Sequence, residues 1–135
     1  GRLYVSGWSA GGHLTAACLD HRAVRGGLAI SGIFDLEPIR LSYLDEKLRL
    51  TERAVAELSP ILTLPRTSPP LLVTHGTGEL PELQRQSREF AAARAEARLP
   101  GRLVPLPGHN HFSILEELAK PDGALTALVR ELAAD

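Results

Sequence analysis

Four short apolar runs constrain this chain more than any other feature: Leu3–Ser6, Leu28–Ser31, Leu71–His75 and Leu103–Leu106. Each is nearly continuous in apolar residues and does not alternate, the pattern of strands buried on both faces of a parallel sheet. Helical stretches separate them. Gly11–Asp20 follows the first run directly. Thr51–Leu58 opens on a potential cap, although Ala54 stands where a capping box carries Glu. Pro81–Leu99 is the longest stretch and is rich in Ala, Arg and Glu; Pro81 suits a first-turn position and Pro100-Gly101 stops it. Phe112–Ala119 comes next, and then Pro121–Ala134, in which Leu125, Leu128, Val129 and Leu132 fall on one face. Strand and helix thus alternate four times. Crossover helices between parallel strands are the economical solution, so the expected class is α/β: a mostly parallel sheet with flanking helices. Gly32–Leu50 is the irregular part and is expected to pass over the top of the sheet. Leu64–Pro70, with its prolines and hydroxyl residues, is a connecting loop.

Composition narrows the function. At 135 residues there is room for one domain and not two. Lys and Arg number 15 against 16 acidic residues, a net charge of -1, so nothing is provided for a phosphate backbone and no nucleic-acid partner is expected. No apolar run is long enough to cross a bilayer and no signal peptide opens the chain, so no membrane partner and a cytoplasmic location are expected. The single cysteine excludes an internal disulfide framework and a Cys-built metal site. Methionine is absent, and Gly1-Arg2-Leu3-Tyr4-Val5 reads as a strand already under way. The chain is therefore expected to be an internal or C-terminal piece of a longer protein.

Gly7-Trp8-Ser9-Ala10-Gly11 is a G-x-S-x-G between a strand and a helix, and that context gives the pattern its meaning. The serine must occupy a sharp, strained turn that lifts its hydroxyl above the sheet. Glycines on either side let strand and helix backbones approach. The Ala10 N–H is expected to face a developing oxyanion at a helix N-terminus. Gly12 extends the small-residue stretch.

Serine needs a base, and the base an orienting acid. In this arrangement the chain order is Ser, acid, His. His111, in Pro107-Gly108-His109-Asn110-His111-Phe112 after the last strand, is the favoured base, and His109 is its close competitor. Glu79, in Gly76-Thr77-Gly78-Glu79 after the third strand, is the favoured acid, with Asp35 after the second strand as runner-up. His13 reads as structural, His21 as a solvated helix end and His75 as a supporting residue behind the site. Glu82 reads as a favourable charge in a first helical turn, Cys18 as a helix core residue, and Arg85–Arg98 as a solvated face. Trp8 either packs beneath the serine or lines the pocket. No H-E-x-x-H spacing is present, so His109, His111 and Glu79 are not read as metal ligands. No cofactor is expected.

In these residues the sequence resembles the α/β-hydrolase superfamily, and within it the kynurenine formamidase (arylformamidase) and small carboxylesterase branch. The likeness rests on Gly7-Trp8-Ser9-Ala10-Gly11-Gly12-His13-Leu14, Ser31-Gly32-Ile33-Phe34-Asp35-Leu36-Glu37-Pro38-Ile39, Leu58-Ser59-Pro60, Gln84-Arg85-Gln86-Ser87 and Asn110-His111-Phe112-Ser113, which span almost the whole chain. The resemblance implies a catalytic triad of Ser9, Glu79 and His111, with Glu where the family usually has Asp. It implies an eight-stranded fold of which residues 1–135 form the last four strands of a single, N-terminally incomplete domain. The upstream strands and the family's His-Gly-Gly loop, which supplies the second oxyanion donor, would precede Gly1. Without that donor the rate should fall roughly a hundred- to a thousandfold. A bare first strand should also favour aggregation. The implied substrate is a small formamide or ester, with N-formylkynurenine in tryptophan catabolism first and a broad carboxylesterase scope second. An inactive hydrolase-derived binding module is the third reading. The oligomeric state stays open, a homodimer included.

Overall fold

Strand and helix alternate because the apolar runs must be covered on both faces, and the computed structural model, which describes residues 1–134, shows how. Strands β1 (Leu3–Trp8), β2 (Val24–Ile30), β3 (Leu71–Gly76) and β4 (Gly101–Leu106) form one sheet in the order β1-β2-β3-β4. All three pairings are parallel. The connections carry α1 (Ala10–Ala17), α2 (Glu37–Arg40), α3 (Asp45–Leu48), α4 (Glu52–Leu58) and α5 (Pro81–Glu96). After β4 come α6 (Glu116–Ala119) and α7 (Ala124–Ala134). Every residue of β3 is buried, as a central strand with helices on both faces must be. β1 and β4 form the two edges of the sheet, and no residue of β1 is fully buried.

Each face has its own core. On one side Leu28, Ile30 and Leu72 pack with Ile114 and with Leu125, Leu128 and Leu132 of α7. On the other, Ala29, Leu71 and Val73 pack with Leu19, Phe34 and Phe90. Phe34 and Phe90 stack with centroids 4.2 Å apart, which ties the loop after β2 to α5. Thr51 caps α4, its hydroxyl accepting from Ala54 N–H at 3.0 Å, so the first turn is closed without the missing Glu.

Several expectations need correction. β2 begins at Val24, not Leu28, through Gly26 and Gly27, where neighbouring side chains leave no space: a Cβ on Gly27 would sit 3.0 Å from Leu19 and Leu71. Ser31 is not in β2 but turns out of it with φ 48°. The helix expected over Phe112–Ala119 is a 3-10 turn at Ser113–Leu115 followed by α6, and α7 starts at Ala124. Val129 is exposed, unlike the three leucines of its expected face. Cys18 is exposed at the C-terminal cap of α1. Arg94 does not join a solvated face: it is 5% exposed and its guanidinium donates to Ser68 Oγ at 3.1 Å and Pro100 O at 3.0 Å. Burial holds its pKa below the ordinary value.

Candidate active site

The site begins with the turn between β1 and α1. Ser9 has φ 57° and ψ -116°, a left-handed strained conformation for a residue with a side chain. Its own N–H donates to Ile30 O at 2.9 Å, and its carbonyl accepts from Gly12 N–H at 2.9 Å. The turn is possible because Gly7 has no side chain: a Cβ there would lie 2.1 Å from Gly11 O. Gly11 itself has open space around a Cβ. The close approach is therefore made by Gly7, and by Gly12 against Gly32, rather than by both glycines of the motif. Among the described residues the Ala10 N–H has no hydrogen-bond partner, and Ala10 lines the adjoining cleft.

The candidate base and acid come from the C-terminal ends of neighbouring strands. His111 follows β4 and Glu79 follows β3. His111 Nε2 lies 3.1 Å from Ser9 Oγ, and His111 Nδ1 lies 2.7 Å from Glu79 Oε1. A proton on Nδ1, donated to the carboxylate, leaves Nε2 free to accept from the serine hydroxyl. The two loops are laced together. Gly78 N–H donates to His109 O at 2.9 Å and Gly108 N–H to Thr77 Oγ1 at 3.0 Å. A Cβ at Gly76 would lie 2.0 Å from His109 O, so only glycine lets the loops close this tightly. Asn110 Oδ1 accepts from Phe112 N–H at 2.9 Å and Ser113 N–H at 2.8 Å, which fixes the turn carrying His111.

Glu79 is held from behind. Its side chain is wholly buried, and Oε2 accepts from Ser31 Oγ at 2.7 Å and from Gly76 N–H at 2.5 Å. The sequence places Ser31 at the end of an apolar run and in the stretch Ser31–Ile39 that carries the resemblance, but assigns it no role. The available signal was a hydroxyl ending an otherwise apolar run.

The runners-up lie elsewhere. His109 bonds Ser113 Oγ at 3.2 Å and faces Glu117 Oε1 at 3.4 Å, with no contact to Ser9. Asp35 Oδ1 accepts from Glu37 N–H at 3.0 Å and its Oδ2 lies 3.6 Å from Arg85. Neither joins the chain of Ser9, His111 and Glu79. His13 Nε2 donates to Leu58 O at 2.8 Å, which fastens α1 to α4 beside the cleft. His75 is buried, and its Nδ1 meets only the neighbouring Gly76 O, at 3.1 Å. His21 is exposed, its Nδ1 accepting from Ala23 N–H at 3.2 Å. Glu82 pairs with Arg85 at 2.7 Å, and that hydrogen bond holds its carboxyl below the usual range.

Trp8, whose role the sequence left open, packs against the base. Its ring centroid lies 4.7 Å from that of His111, and its indole N–H donates to His111 O at 2.7 Å. It does not line the cleft. Trp8→Phe keeps the ring contact and loses this bond. We expect a loss of about 1 kcal/mol in unfolding free energy by urea titration of the intact protein.

Ser9 and His111 open on a cleft of about 820 Å³. Ile33, Leu36, Ile39, Leu80, Leu83 and Phe112 make its walls mostly apolar. An apolar cleft with a few convergent polar groups suits a small organic ligand. No helix among the described residues is long and apolar enough to cross a membrane.

Comparison with known proteins bears on the family and the fold. A family model described as the prolyl oligopeptidase family matches residues 1–125. The kynurenine formamidase of Danio rerio is 32% identical over 96% of this chain and 49% of its own length, so the chain spans about half of that relative. A solved putative thioesterase from Silicibacter sp. tm1040 is 28% identical, superposes with a TM-score of 0.83, and is matched over 94% of this chain and 50% of its own. Thermogutta terrifontis esterase 2, solved phosphoramylated by tabun, is 28% identical with a TM-score of 0.63 over 81% of this chain and 44% of its own. With its four-stranded parallel sheet and flanking helices, the chain belongs to the prolyl oligopeptidase family of α/β-hydrolases.

Proposed function

We propose that this chain carries the nucleophile, base and acid of a serine hydrolase, and that its reaction is the hydrolysis of N-formylkynurenine to kynurenine and formate in tryptophan catabolism. The observation that carries the reading is the unbroken hydrogen-bond chain from Ser9 Oγ through His111 to Glu79 at the mouth of an apolar cleft. The likeness to a kynurenine formamidase supports the formamide as substrate.

The geometry supports the following chemistry. Ser9 Oγ attacks the formyl carbon while its proton passes to His111 Nε2. Glu79 Oε1 accepts from Nδ1–H throughout, holds the ring and stabilises the imidazolium. The carbonyl oxygen becomes an oxyanion and takes a hydrogen bond from Ala10 N–H, at the N-terminus of α1, where the helix dipole favours negative charge. A second donor would come from the His-Gly-Gly loop that the resemblance places upstream of Gly1, in a domain of which residues 1–135 are the C-terminal part. The tetrahedral intermediate collapses, its C–N bond breaks, and the aryl amine leaves with the proton from Nε2. A formyl ester remains on Ser9. Water, deprotonated by His111, attacks that ester; formate departs and Oγ regains its proton. The sequence needs no cofactor.

The test compares kcat/KM on N-formylkynurenine and on a simple aryl acetate, using the intact gene product with Ser9→Ala as control. Preference for the formamide by at least a hundredfold, lost in the variant, is the expected result. Activity on the ester alone would keep the mechanism and move the protein to broad-scope carboxylesterases. No activity, and no labelling of Ser9 by a fluorophosphonate probe, would leave a binding module.

A further inference from the structure

We propose that Ser31 is a positioning residue for the triad: its hydroxyl, together with Gly76 N–H, clamps one oxygen of Glu79 so that the other is presented to His111. The inference rests on the hydrolase reading above.

Ser31 combines three features that packing alone does not require. It is fully buried, it is polar, and it sits in the left-handed region with φ 48°. A side-chain-bearing residue held there is strained and persists only where its surroundings impose it. Here two bonds impose it. Ser31 N–H donates to Thr74 O at 2.8 Å, pinning the turn to the strand that feeds the acid loop. Ser31 Oγ donates to Glu79 Oε2 at 2.7 Å.

The carboxylate is thereby used asymmetrically. Oε2 takes two donors from the protein frame, Ser31 Oγ and Gly76 N–H. Oε1 takes His111 Nδ1. The clamp comes from the end of β2 and the base from the loop after β4, with the acid in the loop after β3, the strand between them. This division of labour addresses the two weaknesses of a glutamate at the position. Its side chain is wholly buried, which penalises the charge unless donors compensate it. It also has one more rotatable bond than Asp, and a fixed Oε2 removes that freedom. Ser31 does not line the cleft, so it acts through Glu79 and not on substrate.

The test uses Ser31→Ala and Ser31→Gly in the intact protein. Glycine adopts a positive φ without strain, so that variant removes the hydroxyl and spares the turn. Losing a hydrogen bond to a charged group should lower kcat roughly ten- to a hundredfold in both variants, with KM held within about twofold. The downfield proton resonance of His111 Nδ1–H should move upfield and broaden in both. A kcat within about twofold of the parent would overturn the proposal. So would a loss confined to the alanine variant, which would mean that only the backbone matters, or a lowered kcat with the Nδ1–H resonance unchanged. Ser9→Ala is run alongside. If that variant stays active, the hydrolase reading fails and not the clamp alone.

Discussion

Ser9→Ala should lower kcat of the intact protein by roughly ten-thousand- to a millionfold, the range found when a triad acting as a unit loses its nucleophile. His111 Nε2 addresses Ser9 Oγ at 3.1 Å and no other nucleophile of the chain, so removing that oxygen leaves the base with nothing to activate. His111→Ala should reach the same floor, and the double variant should be no worse than either single one, because the residues share one step. Glu79→Gln should cost about ten-thousandfold: an amide donor opposite Nδ1 favours the wrong tautomer of His111. Two controls sharpen the result. Asp35→Asn and His109→Ala should change kcat by less than about tenfold, because Asp35 is committed to Glu37 N–H and His109 to Ser113. Single-turnover rates measure all six variants. A Ser9→Ala enzyme within tenfold of the parent, or an Asp35→Asn enzyme as damaged as Glu79→Gln, would remove the assignment of the acid and the nucleophile.

The contrast between what the sequence revealed and what it concealed follows physical lines. β3 and α5 were legible because their signals are collective: a continuous apolar run in one, and a proline start with helix-forming residues in the other. The first half of β2 was not, because Gly26 and Gly27 carry no β-propensity and are dictated by side chains arriving from Leu19, Leu71 and Leu132. Arg94 read as solvated because its neighbours along α5 are Ala and Glu. Its acceptors, Ser68 and Pro100, lie 26 and 6 residues away and converge only in the fold. The candidate site was more legible than the packing around it. A strand–G-x-S-x-G–helix, an acid after a later strand and a histidine after the last strand have a fixed chain order, and the structure brings Ser9, Glu79 and His111 into hydrogen-bond contact. The role of Ser31, as distinct from its place in the stretch Ser31–Ile39, was not legible because its partner is 48 residues away and its conformation, not its identity, is the unusual feature.

The same distinction between identity and surroundings gives the second large effect, at two glycines that look equivalent in the motif. Gly7→Ala should be intolerable. Its Cβ would stand 2.1 Å from Gly11 O and 2.3 Å from Gly11 C, both backbone atoms that no rotamer change can move. To relieve the overlap, β1 and α1 must separate, and Gly12 shows how little room there is: a Cβ on it would meet Gly32 Cα at 2.7 Å on the far side. Overpacking of this severity belongs in the tail of the distribution, beyond about 4 kcal/mol, so most of the intact protein should fail to fold. Any folded fraction would carry a displaced Ser9 Oγ. Misplacement by about 1 Å can cost a hundredfold in rate, so activity per folded molecule should fall at least that far. Gly11→Ala should behave oppositely. It is the second residue of α1, a Cβ there meets nothing within 4 Å, and alanine is favoured over glycine inside a helix by about 1 kcal/mol. Urea titration should therefore find the Gly11 variant at least as stable as the parent and the Gly7 variant without a cooperative transition. If the two alanines cost the same, the strand–turn–helix does not owe its tightness to Gly7. The strained Ser9 conformation would then need another cause.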